Sequence, residues 1–217
     1  MRQLLILRPE PGATSSAQRA RALGLEPHVC PLFAIEPVAW NVQDPAQFDA
    51  LLLTSANAPR HAGPGLAALA HLPVVAVGEA TARAARAAGL AVVDVGEGDA
   101  ASLLSAVPGT RRLLHLAGEH RGEPGPMVEA VTVYRAVAVV NPDLPDVTGM
   151  VVAVHSPRAG ARLAELARER GHTRVAAISE AAARASGPGW ETLSWPAEPT
   201  DRALLALVVL LCQSPEP

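Results

Sequence analysis

Four turns at which a strand pattern gives way to a helix pattern hold the residues best suited to chemistry. They are Thr54-Ser55-Ala56-Asn57, Gly78-Glu79-Ala80-Thr81, His155-Ser156-Pro157 and Ser179-Glu180. Each places a hydroxyl, a glycine or another small residue where a helix begins. There the first backbone N–H groups lack partners and the helix dipole favours negative charge. Taken singly, each turn is explained as an ordinary N-cap worth about 1 kcal/mol. Four of them, split evenly between two halves of the chain, point to a shared anion-binding cleft. Two further residues could join it. Arg8, at the end of the first strand pattern and directly before Pro9, either binds a carboxylate or pairs with a nearby acid. Tyr134, the single tyrosine, is either a half-buried residue with its hydroxyl hydrogen-bonded or a proton donor to a ligand.

Composition removes several other chemistries. All 18 basic residues are arginine. Without lysine there is no Schiff-base amine, no pyridoxal site and no P-loop lysine. Arginine suits an acidic organic substrate, because its planar fork grips a carboxylate with two parallel hydrogen bonds. The net charge of -3 gives no basic face for nucleic acid. Cys30 and Cys212 belong to no CxxC or Cys/His set, and either remain free thiols or form one long-range disulfide; a reducing cytosol is the simpler reading. The seven histidines show no HExxH or paired spacing, so no metal site is expected. No turn matches GxGxxG, since Gly96-Glu97-Gly98 lacks the third glycine, and no Gly-x-Ser-x-Gly elbow occurs. Leu4 to Leu7 is too short for a signal peptide, and the apolar run Ala203 to Cys212 is about half of the roughly 20 residues that span a bilayer.

The elements that must position these residues follow from hydrophobic period. Short Val/Leu/Ile runs alternate with Ala/Arg-rich helical segments, the pattern of a parallel sheet covered by helices. Strands are expected at Leu4 to Leu7, His28 to Leu32, Phe48 to Leu53, Pro73 to Val77, Ala91 to Val95, Arg112 to Leu116, Val151 to Val154, Arg174 to Ile178 and Thr192 to Trp195. Helices are expected from a cap at Ser15 or Ser16 to Gly24, then over Ala80 to Ala88, Ala101 to Val107, Pro157 to Arg170, Glu180 to Ser186 and Asp201 to Leu211. Phe33 to Trp40 carries Pro37 and reads as an extended connector, and Val128 to Val140 as strand-rich. A weak repeat links the halves. Leu51-Leu52-Leu53-Thr54-Ser55 echoes Val152-Ala153-Val154-His155-Ser156, and Val77-Gly78-Glu79-Ala80 echoes Ile178-Ser179-Glu180-Ala181. From Ser55 to Gly78 and from Ser156 to Ser179 the spacing is the same, 23 residues in each case.

Together these residues resemble the uroporphyrinogen-III synthase family. The marks of the resemblance are Leu7-Arg8-Pro9, Leu53-Thr54-Ser55-Ala56-Asn57-Ala58, Val77-Gly78-Glu79-Ala80-Thr81-Ala82, Val133-Tyr134-Arg135, His155-Ser156-Pro157 and the segment Pro199 to Leu207, in order over nearly the whole chain. The resemblance implies two similar flavodoxin-like α/β domains, the first discontinuous (1–34 and 141–217) and the second over 41–133, joined by hinge strands at 35–40 and 134–140. It implies a cytoplasmic monomer without cofactor that closes linear hydroxymethylbilane into uroporphyrinogen III. Carried over by position, Tyr134 and Thr81 are the catalytic candidates, and Arg8, Thr54, Ser55, Asn57, Gly78, Ser156 and Ser179 the substrate contacts. The fourth turn departs from the family pattern, because Ala181 and Ala182 stand where threonines are common. Two other readings remain open at this point: a non-catalytic two-lobed binding or regulatory module, and a small transferase using a nucleotide-linked donor.

Overall fold

The computed structural model describes residues 1–42, 44–96, 111–122 and 125–214, and the chain divides into two units. Unit 1 is Met1–Ala34 with Ala138–Pro217; unit 2 is Ile35–Val137.

In unit 1, β1 (Leu4–Ile6), β2 (Pro27–Val29), β9 (Val151–Val154), β10 (Arg174–Ala177) and β11 (Thr192–Ser194) form one parallel sheet in the order β11-β10-β9-β1-β2. Every residue of β1, β9 and β10 is buried, as expected when helices cover both faces of a sheet. The helices are α1 (Gly12–Ala22), α4 (Pro157–Leu166), α5 (Glu180–Ser186) and α6 (Asp201–Gln213). Ala13, Ala17 and Ala20 of α1 pack with Leu204, Leu205 and Val208 of α6 over Leu4, Ile6, Val151 and Ala153. Small side chains on α1 allow close approach; the aliphatic residues of α6 supply the area. Arg174 ties down the far end of α6. Its Nη1 donates to the carbonyls of Leu211 (2.8 Å) and Ser214 (3.0 Å), and its Nε to Glu191 (2.7 Å). That anchorage fixes where the opposite end of α6, Asp201, must lie.

Unit 2 holds β3 (Phe33–Pro37), which begins in unit 1, with β4 (Ala50–Leu53), β5 (Val74–Val77), β6 (Val92–Gly96), β7 (Leu113–Gly118) and β8 (Val128–Ala138), in the order β3-β8-β7-β4-β5-β6. All but β3 pair in parallel with their neighbours. Helices α2 (Asn57–His61) and α3 (Glu79–Ala87) follow β4 and β5. The core includes Leu51, Leu53, Leu66, Leu69, Val74, Ala76, Leu114, Leu116 and Val133, with Phe48 as its buried aromatic ring among the described residues. The connection from β6 to β7 passes through residues 97–110, so the helix expected over Ala101 to Val107 lies outside the described residues.

The two sheets share one spatial plan. With β3 set aside, β11-β10-β9-β1-β2 corresponds strand by strand to β6-β5-β4-β7-β8. Unit 1 begins with the pair that unit 2 adds last, so its chain order across the sheet, 2-1-3-4-5, is the flavodoxin order, while that of unit 2, 3-2-1-4-5, is a permutation of it. The sequence echo falls on matching strands: β4 matches β9, and β5 matches β10.

Several boundaries moved for identifiable reasons. The first helix begins three to four residues before the caps expected at Ser15 or Ser16. Pro11 stands at its N-cap position, and Glu10 just before it takes up a first-turn donor, accepting from the Thr14 N–H (3.0 Å) and the Thr14 hydroxyl (3.0 Å); Ser16 is left inside the helix and buried. The helix from Pro157 stops at Leu166 rather than Arg170. Arg170 folds back over the Trp190 ring and donates to the carbonyls of Pro188 and Ala164, the second of which a longer helix would have used itself. Cys30 and Cys212 are free and buried.

Candidate active site

Ligands of open parallel sheets bind beyond the carboxyl ends of the strands, where the order of connections reverses. In unit 2 that reversal lies between β4 and β7. Thr54, just past β4, and His115, within β7, meet there, with Thr54 Oγ1 2.9 Å from His115 Nε2. His115 is buried, and burial together with the nearby Arg121 guanidinium lowers its pKa to about 4. It is therefore a neutral imidazole at pH 7. Beside it, Ser55 Oγ accepts from the Asn57 N–H (3.2 Å) at the start of α2. Gly78 closes β5 with φ +76°, a left-handed conformation that side-chain-bearing residues rarely adopt. Its carbonyl accepts from Thr81 (3.1 Å) and Ala82 (3.1 Å), and Thr81 is buried in the first turn of α3.

Tyr134 lies on β8 opposite Gly118, the last residue of β7, and its carbonyl accepts from the Glu119 N–H (2.9 Å). The phenol ring occupies the space a side chain at 118 would take. A Cβ there would come within 2.7 Å of the ring and 2.9 Å of the hydroxyl oxygen. The His61 ring of α2 stands 6.4 Å away, tilted by 41°. Six sequence-nominated residues (Thr54, Ser55, Asn57, Gly78, Thr81 and Tyr134) thus belong to unit 2, on the carboxyl-end turns or in the elements adjoining them.

Arg8, Ser156 and Ser179 belong to unit 1. Ser156 caps α4, accepting from the Ala159 N–H (3.2 Å), and Ser179 caps α5, accepting from Ala182 (3.3 Å). The capping role is thus present in both turns, and each capping oxygen still carries an O–H able to donate to an anion. Arg8 pairs with an acid: Nη1 donates to Asp201 (3.1 Å) and also to Ser16 (3.0 Å). Asp201 is the centre of this group. Its Oδ1 also accepts from Ser16 (2.5 Å) and lies 2.8 Å from His155 Nε2, while Oδ2 accepts from Arg19 (2.7 Å). Burial opposes ionisation of Asp201, but the hydrogen bonds from His155, Ser16 and Arg19 outweigh it and hold the carboxyl far below the usual range. Burial likewise lowers the pKa of His155 despite the facing carboxylate, so a neutral imidazole donates to Asp201.

Asp201, Ser16, Arg19, His115 and Gly118 were not nominated by sequence reasoning. Asp201 directly follows the Thr200 cap, so in sequence it reads only as an acid complementing a helix dipole. Its partners lie 182 to 193 positions away or at 155, a separation no local pattern encodes. Gly118 carried a detectable signal, a glycine ending an apolar strand run, which marks close approach of another group.

The match to the uroporphyrinogen-III synthase HemD family model spans residues 15–206, most of the chain. This chain belongs to the uroporphyrinogen-III synthase family. Among solved structures, the uroporphyrinogen-III synthetase of Helicobacter pylori 26695 has a TM-score of 0.63 at 15% identity, covering 97% of this chain and all of that one. A mutant uroporphyrinogen III synthase from the extremely thermophilic bacterium Thermus thermophilus gives 0.49 at 18% identity, covering 98% and 100%. No curated protein sequence matches. Family membership makes this chain a lyase-type enzyme of haem biosynthesis whose reaction is the cyclisation of hydroxymethylbilane. Among the described residues no helix is long and apolar enough to cross a membrane.

The buried His115 of this synthase gives a pH prediction. A base whose pKa is depressed on folding binds fewer protons in the native state, so stability rises with pH over the window between the two values. For His115 the window runs from its unfolded value near 6.5 down to about 4. Folding free energy should fall by roughly 1.4 kcal/mol per pH unit from this residue alone as pH drops through that window. Urea midpoints at pH 7 and pH 5 should show His115→Gln losing less stability than the parent, by about 2 kcal/mol. Equal losses in both proteins would contradict the buried, neutral assignment.

Proposed function

We propose that the enzyme closes its linear tetrapyrrole by protonating the terminal hydroxyl, with Tyr134 as the proton donor and the strand-end turns as carboxylate receptors. Water then leaves ring A, giving an azafulvene. The substituted carbon of ring D attacks that electrophile to form a spiro intermediate, which fragments and recloses with ring D inverted. Loss of a ring proton restores aromaticity and can return the proton to the phenolate. The net change is one water lost.

The substrate's own pyrroles supply the electron push, so the protein has two tasks: proton delivery and control of the chain's folded shape. For the second, Arg8 offers a guanidinium, Thr54, Ser55, Thr81, Ser156 and Ser179 offer hydroxyls and Asn57 a side-chain amide to acetate and propionate groups, while Gly78, without a side chain, lets the substrate come close to the turn. This explains the lack of a strong catalytic motif, since most of the work is positioning. The observation that carries the reading is the seat of Tyr134: the single phenol of the chain lies against bare Gly118, at the carboxyl end of the strand next to the reversal point of its sheet.

The test is the rate at which purified protein consumes fresh hydroxymethylbilane. Consumption that saturates with substrate and far exceeds the spontaneous rate supports the reading. Consumption at the spontaneous rate contradicts it.

A further inference from the structure

We propose that Asp201 is a positioning residue of the reaction, acting through Arg8 to fix the guanidinium as a receiver for a substrate carboxylate. The inference rests on Arg8 being a substrate contact, as read above.

Three observations point the same way. First, Arg8 lies two residues beyond β1, and His155 directly beyond β9, so the Asp201 group occupies the reversal point of the unit 1 sheet. Second, the Arg8 fork is only partly used. Among the described residues both of its hydrogen bonds leave from Nη1, which leaves Nε and Nη2 without a hydrogen-bond partner there, and the side chain keeps 30% of its exposure. Third, the guanidinium is held where a cation is disfavoured. It lies against Gly12, the first residue of α1, where a Cβ would come within 2.5 Å of Nε, and the start of a helix repels positive charge. Burial foremost, and then the nearby Arg19, also weigh against its charged form and hold its pKa below the ordinary arginine value; Asp201, and then Glu10, make up part of that loss. An arginine kept at a helix start by one buried-facing carboxylate is pre-organised for a second carboxylate arriving from solvent.

Asp201 is itself immobilised. Arg19 holds Oδ2 while Ser16, His155 and Arg8 converge on Oδ1, so the carboxylate cannot rotate away from Arg8. Removing its charge should free the guanidinium to sample many rotamers. Substrate binding would then have to order it, which weakens binding and leaves the chemical step alone.

The experiment is a double-mutant cycle in steady-state kinetics with Asp201→Asn, Arg8→Gln and the pair, alongside Asp201→Glu and Ser16→Ala. Asp201→Asn should raise KM about 10-fold with kcat within about twofold, and Asp201→Glu should recover part of the loss. The pair should be no worse than Arg8→Gln alone, because the effect of Asp201 passes through Arg8. Ser16→Ala, which keeps every charge, should raise KM about threefold and carries the test if Asp201→Asn does not fold. An Arg8→Gln variant with normal KM would sink the substrate-contact reading and this inference together. Arg8→Gln with raised KM but Asp201→Asn or Ser16→Ala at parental KM, or losses that multiply in the pair, would overturn the role of Asp201 alone.

Discussion

Replacing Tyr134 with phenylalanine should lower kcat about 100-fold while KM changes by less than about threefold. The change deletes one oxygen and keeps the ring, so packing against Gly118 and the unit 2 core is retained. General acid catalysis by a positioned group supplies typically about 10²–10⁴-fold, and a pyrrole-assisted leaving group needs the lower end of that range. A phenol contributing only to binding would instead raise KM at constant kcat. An unchanged kcat in Tyr134→Phe would remove this residue from the chemistry.

Gly118→Ala should also slow turnover, by about 10-fold, with the Tyr134 hydroxyl still present. The new methyl would sit 2.7 Å from the phenol ring, far inside van der Waals contact, and the ring is the part free to give way. Displacement by even about 1 Å misplaces a proton donor enough to cost a factor of about 10 or more. Overpacking of this kind costs about 1–3 kcal/mol of stability, so the folded state should survive. The decisive comparison is the double variant. If Gly118 acts by seating Tyr134, adding Gly118→Ala to Tyr134→Phe should cost little further activity. Losses that multiply would show that Gly118 serves something else.

Much of the architecture was legible because it is periodic. Val151 to Val154 and Glu180 to Ser186 could be read to the residue, since an all-apolar run between turns has one strand reading and Ser179 is an unambiguous cap. The 23-residue echo was visible too, and it marks equivalent strands of two sheets. What could not be read was the permuted chain order, because strand neighbours depend on pairings between segments over a hundred residues apart, such as β1 with β9.

The site divides along the same line. Hydroxyls at helix starts follow local rules, so Ser55, Ser156 and Ser179 could be nominated and were found bonded to nearby N–H groups. Thr54 was nominated for its turn, yet its partner His115 lies 61 residues on and looked like any histidine in an apolar strand. Arg8 has an acidic partner in Asp201, which approaches from the other end of the chain and which no local pattern names. Local capping is written in adjacent residues, whereas electrostatic partnership is written in topology.

An enzyme that directs ring closure with inversion of ring D shows it in the isomer of its product. Purified protein is given hydroxymethylbilane, the product is oxidised, and the type I and type III uroporphyrins are separated and quantified. The product should be mainly type III, at a fraction that rises with enzyme concentration as the spontaneous reaction is outrun. Type I alone, at every enzyme concentration, would contradict it.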